Sequence, residues 1–159
     1  MPEANRAISV GARVPEFSVV STGGEFSLKS CRGSVVVLYF YPKDNTPGCT
    51  TEGVDFAQAH GRFKRTGAQV FGVSRDSLKS HSGFKQKFSF PFELISDPDE
   101  QLCALFGVIK MKNMYGKKVR GIERSTFVID GMGKLAREWR GVKVPNHVDE
   151  VLAFVKTLV

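Results

Sequence analysis

Apolar residues along this chain change their spacing several times, and each change marks an element. The run VVVLYFY at 35–41 is continuous, β-branched and aromatic, the pattern of a strand buried on both faces. From 49 to 65 the period lengthens. Val54, Phe56, Ala59 and Phe63 recur at helical spacing, and Gly67 ends the helix. AQVFGVS at 68–74 is a second strand, so the segment predicts a β-α-β unit with parallel strands. Residues 77–88 predict another helix capped by Ser77, with Gly83 weakening its interior. FELIS at 92–96 is a short strand. Asp97-Pro98 then opens a helix over 98–106, with proline in its first position and Gly107 beyond its end. STFVID (125–130) and KLAREWRG (134–141) flank Gly131-Met132-Gly133, a hairpin signature. Val148, Val151, Leu152, Val155 and Leu158 form one face of a closing helix over 145–158.

This order predicts an α/β sandwich, helices flanking a mixed central sheet, in a single domain over 1–159. GARVPEFSVVSTGGEFSL at 11–28 reads as a β-hairpin added before that core. The chain shows no repeat, linker or low-complexity tract.

Composition narrows the function classes. No apolar run approaches the roughly 20 residues that span a bilayer, so no membrane partner is expected. MPEANRAISVGARVPEF carries no apolar leader core, and cytoplasmic residence is the expectation. The formal charge is +7, and residues 109–143 hold ten Lys/Arg against three Asp/Glu, a local balance of 10 − 3 = +7. No nucleic-acid motif accompanies that stretch, so it reads as a solvated loop and strand face rather than a nucleic-acid site. Nor is there a phosphate loop. VIDGMGKL places Val128 where the first glycine of GxxxxGK belongs and Leu135 where Ser or Thr belongs.

The cysteines are three, Cys31, Cys49 and Cys103. An odd, sparse set is not a disulfide framework. None stands in CxxC spacing, and His60, His81 and His147 form no ligand pair with them, so no zinc site and no metal cofactor is expected.

One cysteine stands out, in PKDNTPGCTTE at 42–52, directly after the most apolar strand. Thr46 is a favoured N-cap type and Pro47 suits the first helical position, which puts Cys49 third in the first turn. The N–H groups of that turn lack helical partners and the helix dipole adds partial positive charge. Both favour thiolate over thiol. Gly48 leaves room for close approach, and the Thr46 hydroxyl can donate and accept near the sulfur. On position alone, the alternative is a small buried hydrophobe.

The pattern Pro42-x-x-x-Thr46-x-x-Cys49 resembles the peroxidatic motif of the peroxiredoxins. LYFYPKDNTPGCTTE is similar to the bacterioferritin comigratory protein, or peroxiredoxin Q, subgroup. The likeness continues through VFGVSRDSLKSHSGFKQKFSFPFELISDPD, GIERSTFVID and VKVPNHVDEVL, from about Gly11 to the end. It implies a thioredoxin-like fold and a thiol peroxidase with an antioxidant role in redox homeostasis. It also places Arg124, of GIERSTF, beside Cys49. A guanidinium there stays charged and can bind a peroxide oxygen. The implied roles are attack by Cys49 on hydrogen peroxide or an organic hydroperoxide, alignment of the peroxide by Thr46 and Arg124, and shielding by Pro42. Glu52, one turn on, is expected to pair with an arginine and orient the site, the alternative being an exposed N-terminal glutamate without function. Peroxiredoxin Q relatives are often monomers, and a monomer is expected.

Many subgroup members carry a second, resolving cysteine either five residues after the first or in the next helix. This chain has Val54 at the former position and Phe84 and Lys85 at the latter. Cys31 precedes a strand whose other end leads to Cys49, and seven strand residues span about 23 Å, far beyond the roughly 4.4–6.8 Å between the Cα atoms of a disulfide. Cys103 borders Phe106 on an apolar helix face and reads as core filler. The expectation is a one-cysteine cycle regenerated by an external thiol: thioredoxin, glutaredoxin or glutathione. The competing readings are a two-cysteine peroxidase using Cys103, a non-catalytic peroxide sensor and a thioredoxin-like redox protein. A cysteine hydrolase needs a nearby histidine, and His60 lies about 16 Å along the same helix at 1.5 Å per residue. Spacing alone leaves His81 and His147 open for that role.

Overall fold

The computed structural model describes residues 7–159. The expectation of no apolar leader, read over residues 1–17, falls partly outside them, as does the N-terminal bound expected for the domain. The first hairpin forms as expected, with β1 (Ser18–Ser21) antiparallel to β2 (Gly24–Ser27). A 3-10 turn over Leu28–Cys31 leads to β3 (Val36–Phe40), then α1 (Pro47–Arg65) and β4 (Gln69–Ser74). Next come α2 (Leu78–Phe88), β5 (Glu93–Ser96) and α3 (Gln101–Phe106). A separate hairpin, β6 (Ile109–Met114) and β7 (Lys117–Ile122), precedes β8 (Ser125–Ile129), β9 (Leu135–Arg140) and α4 (His147–Lys156).

Seven strands make the main sheet in the order β2-β1-β5-β4-β3-β8-β9. β3 runs parallel to β4, as a β-α-β unit requires, and antiparallel to β8, which is itself paired with β9 as an antiparallel hairpin. Burial follows the pleat. Val36, Leu38 and Phe40 face one apolar cluster, while Val37, Tyr39 and Tyr41 face the other. The first cluster is closed by Leu102 and Phe106 of α3, with Cys103 among them. The second is closed by Phe56, Ala59 and Phe63 of α1, Phe84 of α2 and Val151, Leu152 and Val155 of α4. The helical spacing read along 49–65 is therefore the core face of α1, with Val54 half-buried at its margin.

The N-terminal hairpin extends the main sheet: β1 pairs with β5, with Val20 opposite Ser96. Three expectations need correcting. The helix expected from Pro98 begins at Gln101 instead. Glu100 takes a left-handed φ of 61°, and the Asp97 carboxylate reaches past the turn to accept from the N–H groups of Leu102 (3.1 Å) and Cys103 (2.8 Å). Asp97 thus caps the helix from a distance, and Pro98 lies in the turn. The last helix begins at His147 after a left-handed Asn146, two residues later than expected. The basic stretch contains a full hairpin that apolar spacing does not reveal. Its turn is Tyr115-Gly116, both at positive φ (53° and 79°), the geometry of a type I′ turn.

Candidate active site

The loop after β3 delivers the cysteine. Thr46, in extended conformation, stands at the N-cap position, and Pro47, Gly48 and Cys49 follow as the first three helical residues. The first backbone bond of α1 runs from the Thr50 N–H to the Thr46 carbonyl at 2.9 Å, so the N–H groups of Gly48 and Cys49 precede the ladder. Thr46 does not cap with its side chain, contrary to its residue type. Its hydroxyl donates back to the Lys43 carbonyl at 2.8 Å, leaving its lone pairs to accept. Pro42 is half-buried in the same loop, and the Cys49 side chain is buried, at 2% exposure.

Arg124 comes from the residue before β8 and ends beside the sulfur. Its Nη2 donates to Cys49 Sγ at 3.4 Å, and its Nη1 donates to Glu52 Oε1 at 2.6 Å. Gly48 makes this approach possible, since a Cβ there would stand 3.1 Å from Nη2. Glu52 is one turn beyond Cys49 on the inner side of α1. It is fully buried, where an N-terminal glutamate would ordinarily be solvated. Burial pushes its carboxyl up to about 7, against the pull of the Arg124 guanidinium. Its second oxygen, Oε2, finds no donor among the described residues. Arg124 is held in its charged form by Glu52 and Cys49, in spite of its own desolvation.

These parts match known proteins closely. The AhpC/TSA family model matches residues 10–138. The chain is also 54% identical to peroxiredoxin Bcp of Xanthomonas campestris pv. campestris over 137 residues, 86% of each chain. The chain belongs to the AhpC/TSA family, as a peroxiredoxin of the Bcp or peroxiredoxin Q group. Peroxiredoxin Bcp of Bacillus subtilis is 45% identical over 95% of this chain and 97% of its own. A serine mutant of Xylella fastidiosa PrxQ superposes with a TM-score of 0.90 at 43% identity, covering 96% of this chain and 98% of that one. The bacterioferritin comigratory protein of Xanthomonas campestris, whose structures concern its alkyl peroxide reduction, gives 0.84 at 51% identity over 89% and 90%. The thioredoxin-like fold expected from the motif is the fold this peroxiredoxin has.

The other two cysteines of this peroxiredoxin lie across the sheet. Cys49 belongs to the cluster under α1, α2 and α4, while Cys31 and Cys103 belong to the opposite one. Cys31 is buried beneath the 3-10 turn, and burial raises its thiol pKa. Cys103 is fully buried, and burial together with the adjacent Asp97 carboxylate raises its thiol further. All three are free thiols. At the two positions where the resemblance places a resolving cysteine, Val54 is half-buried and Phe84 is packed edge-on against Phe88 and Phe90.

No histidine serves the sulfur as a base. His147 is buried at the start of α4, with Nε2 2.7 Å from the Thr126 hydroxyl and its ring edge-on to Trp139. Burial, and then the positive charge of Arg124, lower it to about 4, so it is neutral near pH 7. His81 is engaged with Asp44 and the Ile95 carbonyl. Both histidines were visible in the sequence, but their partners lie 21 and 37 residues away.

Proposed function

We propose that Cys49 is the peroxidatic cysteine of a one-cysteine thiol peroxidase. The thiolate attacks the terminal oxygen of a hydroperoxide, an S–O bond forms as the O–O bond breaks, and the leaving oxygen takes a proton as water or alcohol. Arg124 and Thr46 align the two peroxide oxygens, and Arg124 stabilises charge developing on the leaving one. Pro42 limits water at the sulfur, and Glu52 orients Arg124. The observation that carries this reading is the Arg124 fork, with one arm on Cys49 Sγ and the other on buried Glu52. The alkyl peroxide reduction of the Xanthomonas relative supports organic hydroperoxides as substrates beside hydrogen peroxide.

The sulfenic acid is reduced by an external thiol. A thiolate attacks the sulfenic sulfur, expels water and leaves a mixed disulfide, which a second thiol then reduces. Thioredoxin, glutaredoxin and glutathione have this chemistry. The location of Cys31 and Cys103 across the sheet, with raised thiols, supports an external donor over internal resolution. We read the whole chain as one domain, acting as a monomer in the cytoplasm and binding neither nucleic acid nor membrane.

The test is one equivalent of hydrogen peroxide added to reduced protein, followed by intact mass with and without dimedone. A Cys49 adduct that persists supports the one-cysteine cycle. A loss of two hydrogens that vanishes in Cys103→Ser overturns it in favour of internal resolution. Steady turnover with each thiol, abolished by Cys49→Ser, identifies the reductant; oxidation without turnover makes the protein a peroxide sensor.

A further inference from the structure

The loop Pro42–Thr46 has no regular structure, yet its middle residue is anchored like a core residue. Asp44 is buried between exposed Lys43 and exposed Asn45. Its Oδ1 accepts from the Tyr41 hydroxyl at 2.6 Å, and its Oδ2 accepts from the Ser80 hydroxyl at 2.7 Å. His81 Nδ1 stands 2.8 Å from Oδ2, while Nε2 stands 2.9 Å from the Ile95 carbonyl. Each ring nitrogen faces an oxygen, so both ends of the ring are engaged. The His81, Tyr41 and Ser80 contacts hold the Asp44 carboxyl below its usual range against its desolvation. The Asp44 N–H donates to Asp76 Oδ2 at 2.9 Å, which also accepts from the Ser74 hydroxyl at 2.5 Å. Asp44, Asp76 and His81 bring ligand-type atoms within 4.8 Å of one another, but the oxygens facing the cluster already take protein hydrogens.

The Asp44 N–H and the Lys43 carbonyl are two ends of one planar peptide. Asp76 holds the first end, and the Thr46 hydroxyl donates to the second. Tilting that plane therefore redirects the Thr46 hydroxyl. Asn45, between Asp44 and Thr46, sits at φ 64°, a left-handed conformation that asparagine tolerates in tight turns.

We propose that Asp44 and His81 are positioning residues. Through the Lys43–Asp44 peptide they set where Thr46 and Pro42 stand relative to the Cys49 sulfur, and they tie that loop to α2 and β5. This rests on Cys49 being the peroxidatic cysteine. The latch predicts that peroxide attack, which needs the loop, is separable from simple alkylation, which needs only the sulfur. Asparagine at 81 reaches as far as Nδ1 and keeps the link to Asp44. Glutamine reaches as far as Nε2, keeps the link to Ile95 and loses Asp44.

The experiment compares single-turnover rates with hydrogen peroxide and with iodoacetamide for the intact protein, His81→Asn, His81→Gln and Ser80→Ala, with thermal melts alongside. The expected result is a peroxide rate about tenfold or more slower in His81→Gln, within about threefold of the parent in His81→Asn, and a few-fold slower in Ser80→Ala. Alkylation is expected to be unchanged or faster in all three. Ser80→Ala removes one hydroxyl and carries the test if His81→Gln does not fold. Equal peroxide rates in all variants, parallel loss of both reactions, or equal loss in His81→Asn and His81→Gln overturns the latch. A parent that is alkylated but does not react with peroxide overturns the peroxidatic assignment itself.

Discussion

Arg124 carries a planar fork of donors, and the two arms of that fork meet different groups, the Glu52 carboxyl and the Cys49 sulfur. Lysine offers a point charge without that fork and cannot hold both at once. Arg124→Lys is therefore expected to lower the second-order rate with hydrogen peroxide by about 100-fold, most of the loss seen with Arg124→Ala. Stopped-flow oxidation of Cys49 checks it. Glu52 gives a second prediction at this scale. Its carboxyl titrates near 4.5 when unfolded and at about 7 when folded, so the folded chain holds more protons between those values. Stability contributed by this group therefore falls as pH rises through that window and is level above about 7. His147 has the opposite sign. It is lowered from 6.5 to about 4, so its contribution is lost as pH falls through that interval. Urea unfolding from pH 4 to 8 should show the two slopes partly offsetting, and Glu52→Gln should leave only the acid-side loss.

At the scale of elements, α1 contains a glycine that helix propensity does not explain. Gly53 lies in its interior, where glycine is about 1 kcal/mol worse than alanine. The reason is Phe90. A Cβ at 53 would lie 2.5 Å from its Cζ, and Phe90 is itself packed against Phe84, Phe88 and Phe92. Gly53→Ala is expected to destabilise the protein by about 1–3 kcal/mol despite the better propensity, because the ring has nowhere to move. Chemical denaturation measures it. The same elements show what was legible in advance. The start of α1 could be read because Thr46, Pro47 and Cys49 signal locally. The burial of Glu52 could not, since it depends on an arginine 72 residues away. Asp97 capping α3 across a turn misplaced that helix by three residues. The β6–β7 hairpin was hidden because the alternation of Ile109 and Met111 with lysines breaks at Lys112-Asn113, β7 is mostly polar and exposed, and the turn uses Tyr-Gly in place of Asn-Gly.

For the molecule as a whole, the main sheet is the feature that organises the thiols. Graded hydrogen peroxide should place sulfenic and then sulfinic acid on Cys49 while Cys31 and Cys103 stay reduced, as mapped by peptide mass after alkylation. The overall architecture was legible because strand, helix and strand alternate in period along the chain. The partition of cysteines was not, because which pleat a strand turns toward which helix is settled only when the sheet assembles. The latch at Asp44 was equally invisible, joining groups 37 residues apart through a loop that carries no periodicity.

That partition also changes what governs time. When a partner thiol stands in the same chain, an oxidised cysteine is consumed at a rate fixed by the protein, whatever surrounds it. Under the one-cysteine cycle proposed above, with the sheet between Cys49 and its siblings, the oxidised state would decay only on collision, so its half-life would scale inversely with the concentration of thiol in solution. The fraction oxidised at a constant peroxide flux then reads the thiol supply around the protein, and dilution alone should lengthen it in proportion.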